Sequence, residues 1–181
     1  IKWKKIEPII NALAPEGKTM LDVGCSDGYF SIMCAEKNML NVCGIDPDSD
    51  RIEKAIFAKD VYEIKNIEFK EYDLYKIDNN FPKFDIVLGL GLIHRVPDLE
   101  LCLQKLALVG KNIILEFKYL DDNTSYDWHY HQGRTKSNKW NGLYYVPTKK
   151  YVINLMNTLG FSNHYIYEDS KSMLKYKRTI I

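Results

Sequence analysis

An α/β fold with a mostly parallel sheet, helices on both faces and a C-terminal antiparallel hairpin is predicted by three features of this sequence. Short apolar runs alternate with segments of helical period, a glycine-bearing loop joins the first run to the helix after it, and the chain closes on two alternating segments.

The elements follow in order. Ile6, Ile9, Ile10 and Leu13 recur at helical spacing before Pro15 and Gly17 interrupt, which predicts an opening amphipathic helix. Thr19 to Val23 reads as a strand running into a glycine turn, and Tyr29 to Lys37 as a helix. The alternation continues with strand Asn41 to Ile45, helix Ser49 to Lys59, strands Ile67 to Tyr72 and Phe84 to Leu90, helix Leu99 to Leu108 and strand Asn112 to Phe117. Residues 118–147 carry no sustained period and are rich in Asp, Asn, Ser, Gly, Tyr, Trp and His, so they are expected to form a long functional loop, a substrate lid or insertion. Thr148 to Leu159 is helical, with Gly160 at the C-cap position. His164 to Glu168 and Met173 to Ile181 form the terminal hairpin.

Composition narrows the function. A chain of 181 residues with 46% hydrophobic residues fits one compact domain, residues 1–181. No apolar run approaches the ~20 residues that span a bilayer, and no signal-peptide progression opens the chain, so a cytoplasmic protein without membrane contact is expected. Cys25, Cys34, Cys43 and Cys102 lack metal or disulfide spacing and read as reduced thiols. A net charge of +1 gives no global reason to bind a polyanion.

The strongest chemical signal is Asp22-Val23-Gly24-Cys25-Ser26-Asp27-Gly28, a strand end, a loop and a helix start. Ligands of open α/β sheets bind beyond the strand C-termini, where Gly24 and Gly28 let the backbone approach. Asp46 ends the second strand about twenty residues further on, where a carboxylate can accept from both hydroxyls of a ribose. The dinucleotide pattern G-x-G-x-x-G is not met, because Ser26 holds the place of its second glycine. A nucleoside without a pyrophosphate is therefore expected.

These residues resemble the first motif of class I S-adenosylmethionine (SAM)-dependent methyltransferases, an acidic residue followed by x-G-x-x-x-G, and the resemblance covers nearly the whole chain. It implies a Rossmann-like sheet, SAM as cofactor and S-adenosylhomocysteine (SAH) as product. It also implies a cofactor site made of Asp22, Gly24, Cys25, Ser26, Gly28, Asp46, Pro47, Asp73, Leu74, Leu90 and Gly91. Asp46 would hold the ribose, Asp73 the adenine amino group, and Leu90 to His94 would line the pocket near the sulfonium. Ser26 stands where many members carry glycine, a departure that costs little while that residue keeps an ordinary backbone angle.

Methyl transfer from a sulfonium is an in-line displacement, so the protein positions the acceptor and, for a hydroxyl, removes its proton. Candidate bases are His94, Glu116, His129 and His131, with Asp127 and Tyr144 also in reach of the argument. Arg95, Tyr130, Arg134 and Tyr144 are candidate acceptor contacts. The two histidines of Asp127-Trp128-His129-Tyr130-His131 lack further ligands nearby in sequence, so no metal is assigned.

Trp3-Lys4-Lys5, Gly28-Tyr29-Phe30, Gly91-Leu92-Ile93-His94-Arg95 and Asn141-Gly142-Leu143-Tyr144-Tyr145-Val146-Pro147 resemble, in that order, the bacterial family that carboxymethylates the wobble uridine of tRNA from carboxy-SAM. A gapless match places His94 where that family has a tyrosine on the extra carboxylate. The expected activity is therefore O-methylation by ordinary SAM of a hydroxylated or phosphorylated small molecule or glycan precursor. Wobble-uridine modification of tRNA is the alternative, with Arg134, Lys136, Lys139, Lys149 and Lys150 as the basic residues it would use; a noncatalytic SAM-binding module is the third.

Overall fold

A computed structural model describes residues 2–120, 128–132, 143–168 and 177–181. The chain is organised as two compact units, Ile1–Leu88 with Leu108–Asn112, and Gly89–Ala107 with Ile113–Ile181.

The first unit is a parallel sheet in the order β3-β2-β1-β4, formed by Thr19–Val23 (β1), Asn41–Asp46 (β2), Ile67–Glu71 (β3) and Phe84–Leu90 (β4), the last continuing into the second unit. β1 is central, with Leu21 opposite both Cys43 and Val87. A strand covered on both faces selects apolar residues almost throughout, and Met20, Leu21, Val42, Ile86, Val87 and Leu88 are all fully buried. Three helices belong to this unit: α1 (Trp3–Ala12), α2 (Tyr29–Ala35) and α3 (Ser49–Val61). α1 buries Trp3, Ile6 and Ile10, the stripe its period predicts. α3 starts at Asp48, whose carboxylate accepts from the Asp50 N–H and satisfies one of the open donors of the first turn.

The second unit holds most of β5 (Gly110–Tyr119), which pairs antiparallel with β9 (Lys177–Ile180), and β9 pairs antiparallel with β8 (Tyr167–Glu168). The terminal hairpin is thus present, with its first strand shorter than the sequence suggests. Most of α4 (Leu99–Val109) and all of α5 (Lys149–Thr158) lie here. Thr148 caps α5 through its hydroxyl, which accepts from the Tyr151 N–H at 3.1 Å. The helix ends as expected at Gly160, whose φ of 93° lets its N–H reach Asn157 O while the Phe161 N–H reaches Met156 O.

One expectation is corrected. The stretch 118–147 was read as lacking regular structure, yet Trp128–Gln132 (β6) and Leu143–Pro147 (β7) pair as an antiparallel two-stranded ribbon, with Tyr130 opposite Tyr145. Aromatic residues favour extended backbone; in Trp128–Gln132, Trp and Tyr alternate with His, whereas in Leu143–Pro147 Tyr144 and Tyr145 are adjacent. The apolar/polar alternation that marks a strand in sequence is therefore short in the first segment and broken in the second. Residues 121–127 and 133–142, which include Asp127, Arg134, Lys136 and Lys139, lie outside the described residues, and so do the side chains of His129, Tyr130, His131 and Tyr144.

Candidate functional site

In the first unit the loop after β1 turns on three left-handed residues: Gly24 (φ 74°), Ser26 (φ 54°) and Gly28 (φ 80°). Ser26 thus does not meet the condition under which its departure from glycine costs little. A side chain in this region costs on the order of 1 kcal/mol, which is why glycine is common at such positions. The loop is fixed from β2. Ile45 O accepts the N–H groups of both Gly24 (2.8 Å) and Cys25 (3.0 Å), and Asp46 Oδ2 accepts the Ser26 N–H at 3.0 Å. Asp46 Oδ1 takes the Asp48 N–H, also at 3.0 Å. Asp46 therefore closes the turn before α3 and braces the loop at once. Each of its oxygens keeps a lone pair, and an ionised carboxylate accepts more than one bond per oxygen.

Gly28 is demanded by packing as well as by angle. A Cβ there would stand 2.6 Å from the Phe69 ring and 2.9 Å from Ala55 Cβ; one at Gly44 would stand 2.5 Å from the same ring. The Phe69 ring on β3 thus fills space left open by two glycines, one of them in the loop.

Below the loop, the Asp22 carboxylate is buried and accepts from the Ser31 hydroxyl of α2 at 2.6 Å. Burial raises its pKa to about 6, opposed by the Ser31 bond, raised further by the charge of Asp46 and lowered slightly by Lys2. Asp46 is raised too, chiefly by burial, while the backbone N–H groups of Asp48 and Ser26 and the charge of Arg51 pull it down. Asp73, expected at the adenine, accepts the Tyr75 N–H and caps a 3-10 turn, Leu74–Lys76, in which Leu74 is buried. The sequence reading missed Ser31, Phe69 and an ion pair between Asp27 and Arg51. Each joins residues far apart in the chain and carries no local signature.

All four cysteines are buried free thiols. Burial pushes Cys43 and Cys102 up to about 12 and raises Cys25 and Cys34 as well, so none is a ready nucleophile.

In the second unit, the turn after β4 is laced to β5. Gly91 (φ 72°) donates its N–H to Glu116 O at 2.7 Å, and His94 Nδ1 accepts the Lys118 N–H at 3.3 Å. His94 and Glu116 are 2% and 3% exposed, whereas Arg95 is exposed. An accepting Nδ1 places the proton of the neutral ring on Nε2. His94 thus presents a donor, and a role as base would require release of the β5 backbone. Among the described residues, no group of three His, Cys, Asp or Glu is placed to hold a metal ion, and no helix is long and apolar enough to cross a membrane.

The parallel sheet, the glycine loop after its central strand and the acidic residue ending the neighbouring strand define a class I methyltransferase fold. The chain belongs to the methyltransferase-domain family, whose model matches residues 15–171. Among solved structures it is similar to the N-terminal domain of EvdMO1 with SAH bound (TM-score 0.81, 18% identity, 98% of this chain and 77% of that one). It is likewise similar to magnesium protoporphyrin IX methyltransferase from Synechocystis with bound SAM (TM-score 0.71, 19% identity, 99% and 77%). Curated relatives include the tRNA U34 carboxymethyltransferases of Nautilia profundicola (29% identity over 171 residues, 90% of this chain and 53% of the relative) and Desulfotalea psychrophila (28% over 167 residues, 88% and 49%). The chain spans about half the length of these relatives.

Proposed function

We propose that the chain binds SAM at the loop Gly24 to Gly28 and Asp46, and transfers its methyl group to a hydroxyl of a small molecule or glycan precursor. The observation that carries the cofactor assignment is Asp46. Its two oxygens each accept one backbone N–H from the protein and retain capacity for one more donor, the pattern a pair of ribose hydroxyls requires. The chemistry of the loop fits as well: Gly24 exposes backbone, and nothing in Asp22 to Gly28 supplies a cation for a pyrophosphate. Asp73 and Leu74 are assigned to the adenine end.

When bound, SAM supplies a methyl group already activated on a sulfonium, so the chain's own residues need only align the acceptor and take its proton. Glu116 is assigned the proton. His94 is assigned to hold the β4 turn against β5, given its Nδ1 bond to the Lys118 N–H. The residues of 118–147 are assigned to cover the acceptor.

The reading of ordinary SAM rests on His94. A buried imidazole tied to backbone stands where the carboxymethylating family has a phenol for the extra carboxylate. The near balance of charge favours a small acceptor over a polyanion. The curated relatives favour the second reading, transfer to the wobble uridine of tRNA. Calorimetry with SAM, SAH and carboxy-SAM separates the two. Binding of SAM and SAH with no preference for carboxy-SAM is expected; preference for carboxy-SAM, together with salt-sensitive tRNA binding, selects the tRNA reading, and no binding of any of them removes both.

A further inference from the structure

Asp27 lies within the loop, between the left-handed residues Ser26 and Gly28, and its carboxylate is held by α3. Arg51 Nη1 stands 2.9 Å from both Asp27 Oδ1 and Oδ2. The loop carries a backbone conformation that its own residue type disfavours, because Ser26 is a non-glycine residue at φ 54°. Residues held in that region persist only where surrounding contacts over-determine them. Beside the Gly24 and Cys25 N–H groups held by Ile45 O, side chains brace Ser26 from both sides: the Ser26 N–H meets Asp46 Oδ2, and the next residue, Asp27, pairs with Arg51. Arg51 is in the first turn of α3, three residues past Asp48, whose N–H meets Asp46 Oδ1. Loop, β2 end and α3 therefore close a ring of contacts around the Asp46 carboxylate.

The charges point the same way. Asp22, Asp27, Asp46, Asp48 and Asp50 gather in and around this loop and the start of α3, and Arg51 forms an ion pair with one of them, Asp27. Burial of Asp46 disfavours its ionised form; the Asp48 and Ser26 N–H groups oppose that effect, the charge of Asp48 adds to it, and the Arg51 guanidinium opposes it least.

We propose that Arg51, through Asp27, is a positioning residue for cofactor binding: it holds the loop in its receiving form, so that the ligand need not order the loop on binding. This rests on the SAM reading above. The side chains of Arg51 and Asp27 are 36% and 51% exposed, so the pair adds little to global stability. Its effect falls on the population of the loop conformer that binds.

SAH binding to the 181-residue chain, followed by calorimetry, tests this. Arg51→Met is expected to weaken SAH by roughly fivefold, near the upper end for an exposed pair, with the thermal midpoint within a few degrees of wild type. Asp27→Asn should lose a similar amount, and the double variant no more than either single one, since both remove one contact. Arg51→Lys should recover part of the loss. Raising salt from about 0.1 M to about 1 M should weaken SAH binding to wild type more than to Arg51→Met, because the pair is open to screening. Wild-type affinity in Arg51→Met, or additive losses in the double variant, overturns the positioning role while leaving the cofactor reading intact. Failure of the wild-type chain to bind SAH overturns both.

Discussion

The Ser31 hydroxyl donates a 2.6 Å hydrogen bond to Asp22, a carboxylate sealed beneath the loop Gly24 to Gly28 with 2% of its surface exposed. Burial places its pKa at about 6 against an ordinary 3.8. The folded chain therefore binds this proton more tightly than the unfolded chain, and the stability it contributes is complete below about pH 4. It is lost as pH rises to about 6, by about 3 kcal/mol in all.

Asp22→Asn keeps an acceptor for Ser31 and removes the titration. The difference in thermal midpoint between Asp22→Asn and wild type should grow from pH 4 to pH 6 in favour of the variant and level off above. A difference that stays constant across this range would show that Asp22 does not titrate there.

Gly28→Ala adds a methyl group 2.6 Å from the Phe69 ring at a residue with φ 80°. Overpacking and the left-handed angle together should cost about 2 to 4 kcal/mol. Chemical denaturation reads this directly. Combining Gly28→Ala with Phe69→Leu should recover part of the loss, and no recovery would mean that the angle alone sets the cost.

Asp46→Ala removes the acceptor of the Ser26 and Asp48 N–H groups and, on the reading above, that of the ribose. SAH affinity should fall by about 1.5 to 3 kcal/mol. Calorimetry showing unchanged SAH affinity in a folded variant would remove the ribose assignment.

His94 offers a way to tell positioning from proton transfer. In His94→Asn, the side-chain oxygen can take the Lys118 N–H in place of Nδ1, whereas His94→Ala supplies no acceptor there. The expected result is a thermal midpoint near wild type for Asn, a loss of about 2 kcal/mol for Ala, and methyl transfer retained in Asn. Activity abolished equally in both variants would instead make His94 the base.

Much of the first unit could be read from sequence, because its information is local. β1 and β2 are short apolar runs, the first followed by Gly24 and the second ending in Asp46, and those two residues mark the loop and the carboxylate that meets it. The α5 boundaries were equally readable, since Thr148 and Gly160 act on their own neighbours. What escaped notice depends on distance along the chain. Ser31 is nine residues from Asp22, Arg51 is 24 from Asp27, and Phe69 reaches Gly28 from β3. The positive φ of Ser26 was hidden for a different reason: its residue type argues against the angle that the loop imposes. The β6–β7 ribbon has a weaker signature, because each strand is only five residues long and the adjacent Tyr144 and Tyr145 break the two-residue period of β7.

The burial of all four thiols has a practical consequence. Maleimides and similar reagents react with exposed thiolates, and this chain presents none in its native fold. A single cysteine introduced at a surface position such as Phe57, 71% exposed on α3, would therefore be the one reactive handle on the folded molecule. A fluorophore could be attached there without first deleting the native cysteines. Conversely, any labelling of the unaltered chain would report its unfolding, so the thiols serve as a built-in clock for opening of the core.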